Sequence, residues 1–196
     1  SSFLVAWLAE MDGGDVEVRV AVISNEGTIS GDRLIARFKR DITLPLTPPS
    51  IAWNGTSYLV VWSDAASISA RHVDSEGNPE PDTLTIARSQ GVEVTAPDVA
   101  WNGSMYLVVF SYRNEWATPM SFPTTNLYAA RLSPGGTLLD SPYPLTISAT
   151  PGGDEASAVA ASGNTFIVVL EKNFDVRSVI VDAADGVVGP LQLVSR

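Results

Sequence analysis

The chain contains no cysteine and a single histidine, His72. The first absence excludes disulfides, thiolate metal sites and a cysteine nucleophile. The second leaves His72 as the one imidazole open to a Ser-His-Asp arrangement, and it excludes a metal site built from several histidines of one chain. Basic residues are scarce too: 12 Lys and Arg stand against 22 Asp and Glu, for a formal net charge of −10. Sequence-independent affinity for nucleic acid comes from clustered Lys and Arg, so no nucleic-acid partner is expected. No uninterrupted apolar run approaches 18 residues, so no membrane span is expected. The amino terminus runs straight into an apolar segment without a signal-peptide pattern, as a mature, processed or trimmed chain also would. A Gly-rich phosphate loop, a nucleophile elbow and a zinc motif are all missing.

What is present is an internal repeat. Pro49-Ser50-Ile51-Ala52-Trp53-Asn54-Gly55-Thr56-Ser57-Tyr58-Leu59-Val60-Val61-Trp62 returns as Pro97-Asp98-Val99-Ala100-Trp101-Asn102-Gly103-Ser104-Met105-Tyr106-Leu107-Val108-Val109-Phe110. A weaker copy runs from Ala158 to Leu170, and Phe3-Leu4-Val5-Ala6-Trp7 matches the second half of the unit. Aligning Phe3 with Tyr58, Tyr106 and Phe166 gives spacings of 55, 48 and 60 residues. Each unit reads as strands A to D. Strand B is the apolar run after the Asn-Gly turn, apolar on both faces as an interior strand should be. Strand C alternates and ends at a Gly turn: Val18 to Ile23, Ile68 to Val73, Leu127 to Leu132, Val176 to Val181. Short D strands follow at Leu34 to Phe38, Leu84 to Ala87, Leu145 to Ser148 and Leu191 to Val194. Asn-Gly between A and B predicts a two-residue hairpin, because both residues accept positive φ. No segment sustains a 3.6-residue period.

The reading is all-β: four repeats of a four-stranded antiparallel meander, the first lacking its A strand, within one domain of 196 residues. The units span 1–47, 48–95, 96–155 and 156–196. A meander repeating at this period fits a β-propeller blade. The Pro-x-Val-Ala-Trp-Asn-Gly-x-x-Tyr-Leu-Val-Val-Trp pattern resembles the blade repeats of large secreted or surface propeller proteins of bacteria. That resemblance implies an extracellular or cell-surface setting and leaves activity open, since propellers host many functions. The missing A strand leads us to expect a propeller fragment, or a strand supplied by another chain or missing segment, because an open apolar edge invites association.

In a meander the B–C and D–A connections share one end, and these vary in length here, so that rim is the expected site. The B–C connection of the third unit, read as Ser111 to Asn126, is the outlier. Its Tyr112, Arg113, Asn114, Glu115, Trp116 and Phe122 have the composition of a recognition surface for protein or glycan. Asp12 and Asp15 in one B–C connection, with Asp154 and Glu155 in a D–A connection, could hold Ca²⁺, although the spacing is not that of an EF-hand; no other cofactor is expected. Asn54-Gly55-Thr56 and Asn102-Gly103-Ser104 match glycosylation sequons but are also what the turn requires. The function expected is a non-enzymatic binding or scaffold module. The alternatives are a polysaccharide hydrolase or lyase using rim carboxylates, and an assembly subunit pairing through its open strand edge.

Overall fold

The structure, a computed structural model, describes residues 2–41, 46–64, 66–89, 93–114, 124–149 and 154–195. Four antiparallel sheets account for its strands. The first comprises β1 (Ser2–Glu10), β2 (Asp15–Ser24) and β3 (Ile29–Lys39). The second comprises β4 (Ser50–Trp53), β5 (Tyr58–Ser63), β6 (Ser67–Val73) and β7 (Leu84–Arg88). The third comprises β8 (Glu93–Trp101), β9 (Tyr106–Asn114), β10 (Thr124–Leu132) and β11 (Leu145–Ser148). The fourth comprises β12 (Asp154–Ser162), β13 (Thr165–Lys172), β14 (Asp175–Asp182) and β15 (Gln192–Ser195). Strands follow one another across each sheet in chain order, as the repeat requires. β8 and β12 begin at Glu93 and Asp154, slightly upstream of the boundaries read at 96 and 156. No helix among the described residues is long and apolar enough to cross a membrane.

The doubly apolar B strands explain how the sheets stack. On β5, Val60 and Trp62 join Val18, Val20 and Ile35 of the first sheet in one core, while Leu59 and Val61 join Val108 and Phe110 of the third in another. On β9 the alternation repeats, with Leu107 and Val109 packing on Phe166, Val168 and Leu170 of the fourth sheet. A fully buried aliphatic or aromatic side chain of this kind contributes about 1.5–3 kcal/mol. Among the described residues the two outer sheets each leave apolar side chains exposed on one face. Phe3 is 64 % exposed on the first, and Ile167 and Ile180 are exposed on the fourth.

The A–B turns depart from the expected two-residue form in the second and third sheets. Four residues, Asn54 to Ser57, separate β4 from β5, and Asn54 Oδ1 accepts from the backbone N–H groups of Thr56 and Ser57 at 2.8 Å each. Asn102 does the same for Ser104 and Met105, at 3.0 and 2.9 Å. The Asn side chain thus supplies a turn acceptor, and only the glycine needs positive φ (Gly55, 99°; Gly103, 101°). The fourth sheet has the shorter hairpin, in which Gly163 and Asn164 alone join paired residues Ser162 and Thr165.

The glycines of the C–D turns have a second task. A Cβ on Gly136 would lie 2.3 Å from Leu84 Cδ1 of the second sheet, and one on Gly186 would lie 2.9 Å from Arg131 Cζ of the third. Each of these turns lies flat on the sheet before it.

Polar bridges tie the sheets together at two further points. Asp98 on β8 takes a 2.6 Å hydrogen bond from Ser50 Oγ on β4 and a 2.8 Å bond from the Val159 N–H on β12. Its Oδ1 also accepts from the Val99 N–H at 2.9 Å. One carboxylate therefore binds three first strands. Arg131 forms a bidentate pair with Asp140, its shortest contact 2.6 Å, and donates at 2.9 Å to the carbonyl of Ala183, the residue just past β14. Asp98→Asn should lower unfolding free energy by about 1–3 kcal/mol, since it leaves backbone donors without their charged acceptor. Ser50→Ala should cost less, about 1 kcal/mol. Urea titration of both single variants and the double variant checks this, and additive effects would mean that Asp98 and Ser50 do not act together.

Candidate functional site

The rim formed by the B–C connections carries an unusual share of buried polar groups. Ser63, Glu93, Ser111, Ser148 and Lys172 are all buried, and all lie near strand ends on this side. The apolar interfaces between sheets give way here to polar ones. Ser63 Oγ donates to the Val94 carbonyl across the interface of the second and third sheets. Lys172 Nζ donates to Ser148 Oγ at 3.2 Å across the next interface.

Tyr112 and Arg113 lie at the end of β9 rather than in a loop. β9 continues to Asn114, and Thr124 opposes Asn114 where β10 begins, so the connection between strands is 115–123 instead of 111–126. Alternating strand geometry sends the two side chains apart. Tyr112 turns toward the second sheet, meets Tyr128 edge to face at 5.1 Å, and donates to the Arg88 carbonyl at 3.3 Å. Phe110 packs beneath both rings. Burial pushes the Tyr112 phenol above its usual range, and Tyr128 adds to this. Arg113 turns to the other face and stands 3.7 Å from the carboxylate of buried Glu93, its cross-strand partner. Asn114 is placed by its strand, while Glu115, Trp116 and Phe122 lie outside the described residues.

The acids considered for Ca²⁺ are divided between the outer sheets. Asp12 is exposed in the turn from β1 to β2. Asp15 opens β2 and pairs with Lys39 at 2.8 Å. Asp154 and Glu155 belong to β12, opposite Lys172 and Glu171, rather than to a loop. Among the described residues no group of three His, Asp or Glu side chains comes together. Near the same rim Glu17, beneath Arg37 and Arg19, is held below the usual carboxylate range, by Arg37 foremost. Its cover is the two guanidinium groups rather than depth in the fold.

His72 sits at the opposite end, facing the third sheet. Its Nδ1 is 3.2 Å from Ser57 Oγ, and its ring centroid lies 6.0 Å from that of Tyr106. No carboxylate among the described residues hydrogen-bonds to Nε2, so the pair does not extend to a triad. The Tyr106 hydroxyl is buried beside Asn54 and Ser57, outside hydrogen-bonding geometry, and burial pushes its pKa up to about 12.

No family model matches the sequence, and no curated protein matches it. Solved structures do match. An arabinanase of Bacillus subtilis is 14 % identical with a TM-score of 0.55, over 99 % of this chain and 69 % of that one. An exo-1,5-α-L-arabinanase from a bovine ruminal metagenomic library is 13 % identical with a TM-score of 0.56, over 100 % and 75 %. A hydrazine synthase of Kuenenia stuttgartiensis is 14 % identical with a TM-score of 0.57, over 96 % and 48 %. The fold is a β-propeller fold. At these identities the likeness speaks for fold alone, and proteins named for quite different reactions share it.

Sequence reading missed Glu93, Tyr128, Ser148 and Lys172 at the rim. Glu93 and Lys172 are charges at the outer ends of strands with apolar stretches, which is the signal that could have found them. Tyr128 has no comparable mark.

Burial holds the His72 imidazole below its usual value, with Glu80 opposing more weakly. The folded state thus binds a proton less readily than the unfolded chain, whose histidine titrates near 6.5. This contribution to stability is complete above that pH and is lost as pH falls toward and through the folded value. Denaturant midpoints of the natural chain should therefore drop between pH 7.5 and 5, and His72→Gln should flatten part of the drop. An unchanged slope in the variant would assign the acid sensitivity to other groups.

Proposed function

We propose that this chain is a glycan-recognising portion of a β-propeller, working outside the cell or at its surface. The observation that carries the reading is the rim of the third sheet. There the edge-to-face pair of Tyr112 and Tyr128 adjoins the Arg88 carbonyl, with the Glu93–Arg113 pair on the opposite face. The long connection holding Trp116 and Phe122 springs from the same strand ends. Aromatic rings with polar edges pack on the apolar faces of sugars, and charged groups already held in place offer hydrogen bonds to hydroxyls at small ordering cost. The fold shared with arabinanases supports a carbohydrate over a protein ligand.

A second reading, a hydrolase or lyase acting on polysaccharide, draws on those same arabinanases. Its candidates are Asp12, Glu115, Asp154 and Glu155, because several other acids near the rim are engaged elsewhere. Asp15 and Glu10 pair with Lys39 and Arg40, Glu17 with two arginines, and Asp98 spans three strands. We further propose that the four sheets are blades of a larger ring, like the five-bladed ring of the arabinanases. The two apolar outer faces support this, since a ring would cover both.

Arabinohexaose is the first probe, with binding followed by calorimetry and cleavage by release of new chain ends. Tyr112→Ala and Trp116→Ala should each weaken binding about tenfold or more, equivalent to about 1.4 kcal/mol. Cleavage that is lost in Asp154→Asn while binding persists would favour the enzyme. Absence of both binding and cleavage across a panel of plant and bacterial polysaccharides would remove the glycan reading.

A further inference from the structure

Two arginines on the rim between the second and third sheets keep their donors uncommitted. Arg19, Arg37, Arg40, Arg131 and Arg177 each hydrogen-bond a carboxylate, and Arg71 donates to backbone carbonyls. Arg88 and Arg113 do neither. Arg88, at the end of β7, has one neutral contact, 3.4 Å from Nη2 to Thr85 Oγ1. Arg113, near the end of β9, makes no hydrogen bond among the described residues, and Glu93 Oε2 stands 3.7 Å from its Nη1. The remaining described arginine, Arg33, has its guanidinium beside Gly31, toward the other end of the molecule. Acids outnumber bases in this chain by 22 to 12, so a guanidinium without a bonded carboxylate is the exception.

Both side chains stand on fixed backbone. The Arg88 carbonyl accepts from the Tyr112 hydroxyl at 3.3 Å, and the N–H of the next residue, Ser89, donates to the Ala66 carbonyl at 2.7 Å. Arg113 lies in the ladder between Glu93 and Thr125. The two cations therefore flank Tyr112, one beside its hydroxyl and the other on the opposite face of its strand. A side chain carried on ordered backbone loses less freedom when it binds. The guanidinium fork presents parallel N–H donors that match a carboxylate, a match that a neutral sugar hydroxyl does not use.

We infer that the ligand of this rim is an acidic glycan, whose uronate carboxylates are held by Arg88 and Arg113 on either side of Tyr112. The inference rests on the glycan reading of the rim and narrows it to sugars that carry carboxylates. The net charge of −10 does not oppose it. Exposed charges farther away than about 10 Å are largely screened at roughly 0.1 M salt, so the nearby arginines dominate. Glu93, buried behind Arg113, steadies that guanidinium without taking up its hydrogen bonds.

Calorimetry on the full chain tests this with hexamers of galacturonate, mannuronate and glucuronate, their methyl esters, arabinohexaose and hexaglutamate. At least one uronate hexamer should bind about tenfold more tightly than its ester, the scale of one charge-assisted hydrogen bond. Arg88→Gln and Arg113→Gln should each lose about that factor for the acid and leave the ester unaffected. Arg88→Lys and Arg113→Lys should recover only part of it, because they restore charge without the fork. Arg33→Gln removes the same charge elsewhere and should leave the acid bound as before. Equal affinity of every acid and its ester would overturn the inference, while binding of the neutral sugars would leave the glycan reading standing. An equal loss in Arg33→Gln would overturn it as an effect of net charge alone. Hexaglutamate bound as tightly as the best uronate would overturn it by giving the arginines to an acidic peptide. No binding by any sugar, acidic or neutral, would remove the glycan reading and this inference with it.

Discussion

A sheet whose middle strands are apolar on both sides has to stand between two others, and everything else in this protein follows from that requirement. Trp62 and Val61 are neighbours in sequence, yet they serve different cores. Loss of contact on either side of the second or third sheet would expose a continuous apolar face. Stability is therefore passed from sheet to sheet, and no single sheet can be regarded as self-sufficient. The three-strand bridge at Asp98 and the reach of Arg131 to Ala183 act where close packing alone would allow sheets to slide. A hydrogen-bonded carboxylate has one geometry, whereas valine on valine has several.

The same requirement separates the two ends of the molecule. Strand interiors must be apolar, so polar chemistry is pushed to the strand ends. At one end glycine turns lie on the preceding sheet, with Gly136 against Leu84 and Gly186 against Arg131. Little room for a side chain is left at those two glycines. At the other end Glu93, Ser111, Ser148 and Lys172 replace aliphatic residues, and the connection after Asn114 is free to lengthen. Buried polar groups cost stability unless they are paired, so their concentration at one rim marks a place where something besides packing shaped the sequence.

The strands were largely legible because their signal is local. Alternation in the C strands and double apolarity in the B strands follow from a period of two, and Leu145 to Ser148 is recovered residue for residue as β11. Strand ends were less legible. Tyr112 and Arg113 looked like loop residues because they are polar or amphipathic, but they continue the ladder, and cross-strand pairing with Glu93 and Val94 holds them there. Asn54 misled in another way. The Asn-Gly pair suggested two left-handed residues, whereas the Asn side chain itself made the turn, and a longer turn then fitted. The bridging role of Asp98 was visible only as an acid at the position where the other repeats carry Ser50 and Ala158. Its partners come from 48 and 61 residues away, a distance that no sequence window spans.

Strand parity also defines the outer faces. Phe3, Val5 and Trp7 of the first sheet align with Tyr58, Val60 and Trp62, which face the preceding sheet in the second repeat. Ile167 and Val169 of the fourth sheet align with Leu59 and Val61, which face the following one. The two uncovered faces are therefore unlike surfaces, corresponding to the two halves of one interface already made three times within the chain. Two copies meeting through identical faces would put large rings against large rings. A front face meeting a back face would instead reproduce the interdigitation of Tyr106 and Phe110 with Leu59 and Val61. Such heterologous contacts close into a ring or run on without limit, and the turn from sheet to sheet decides between the two outcomes. The ring of the propeller fold is the closed solution.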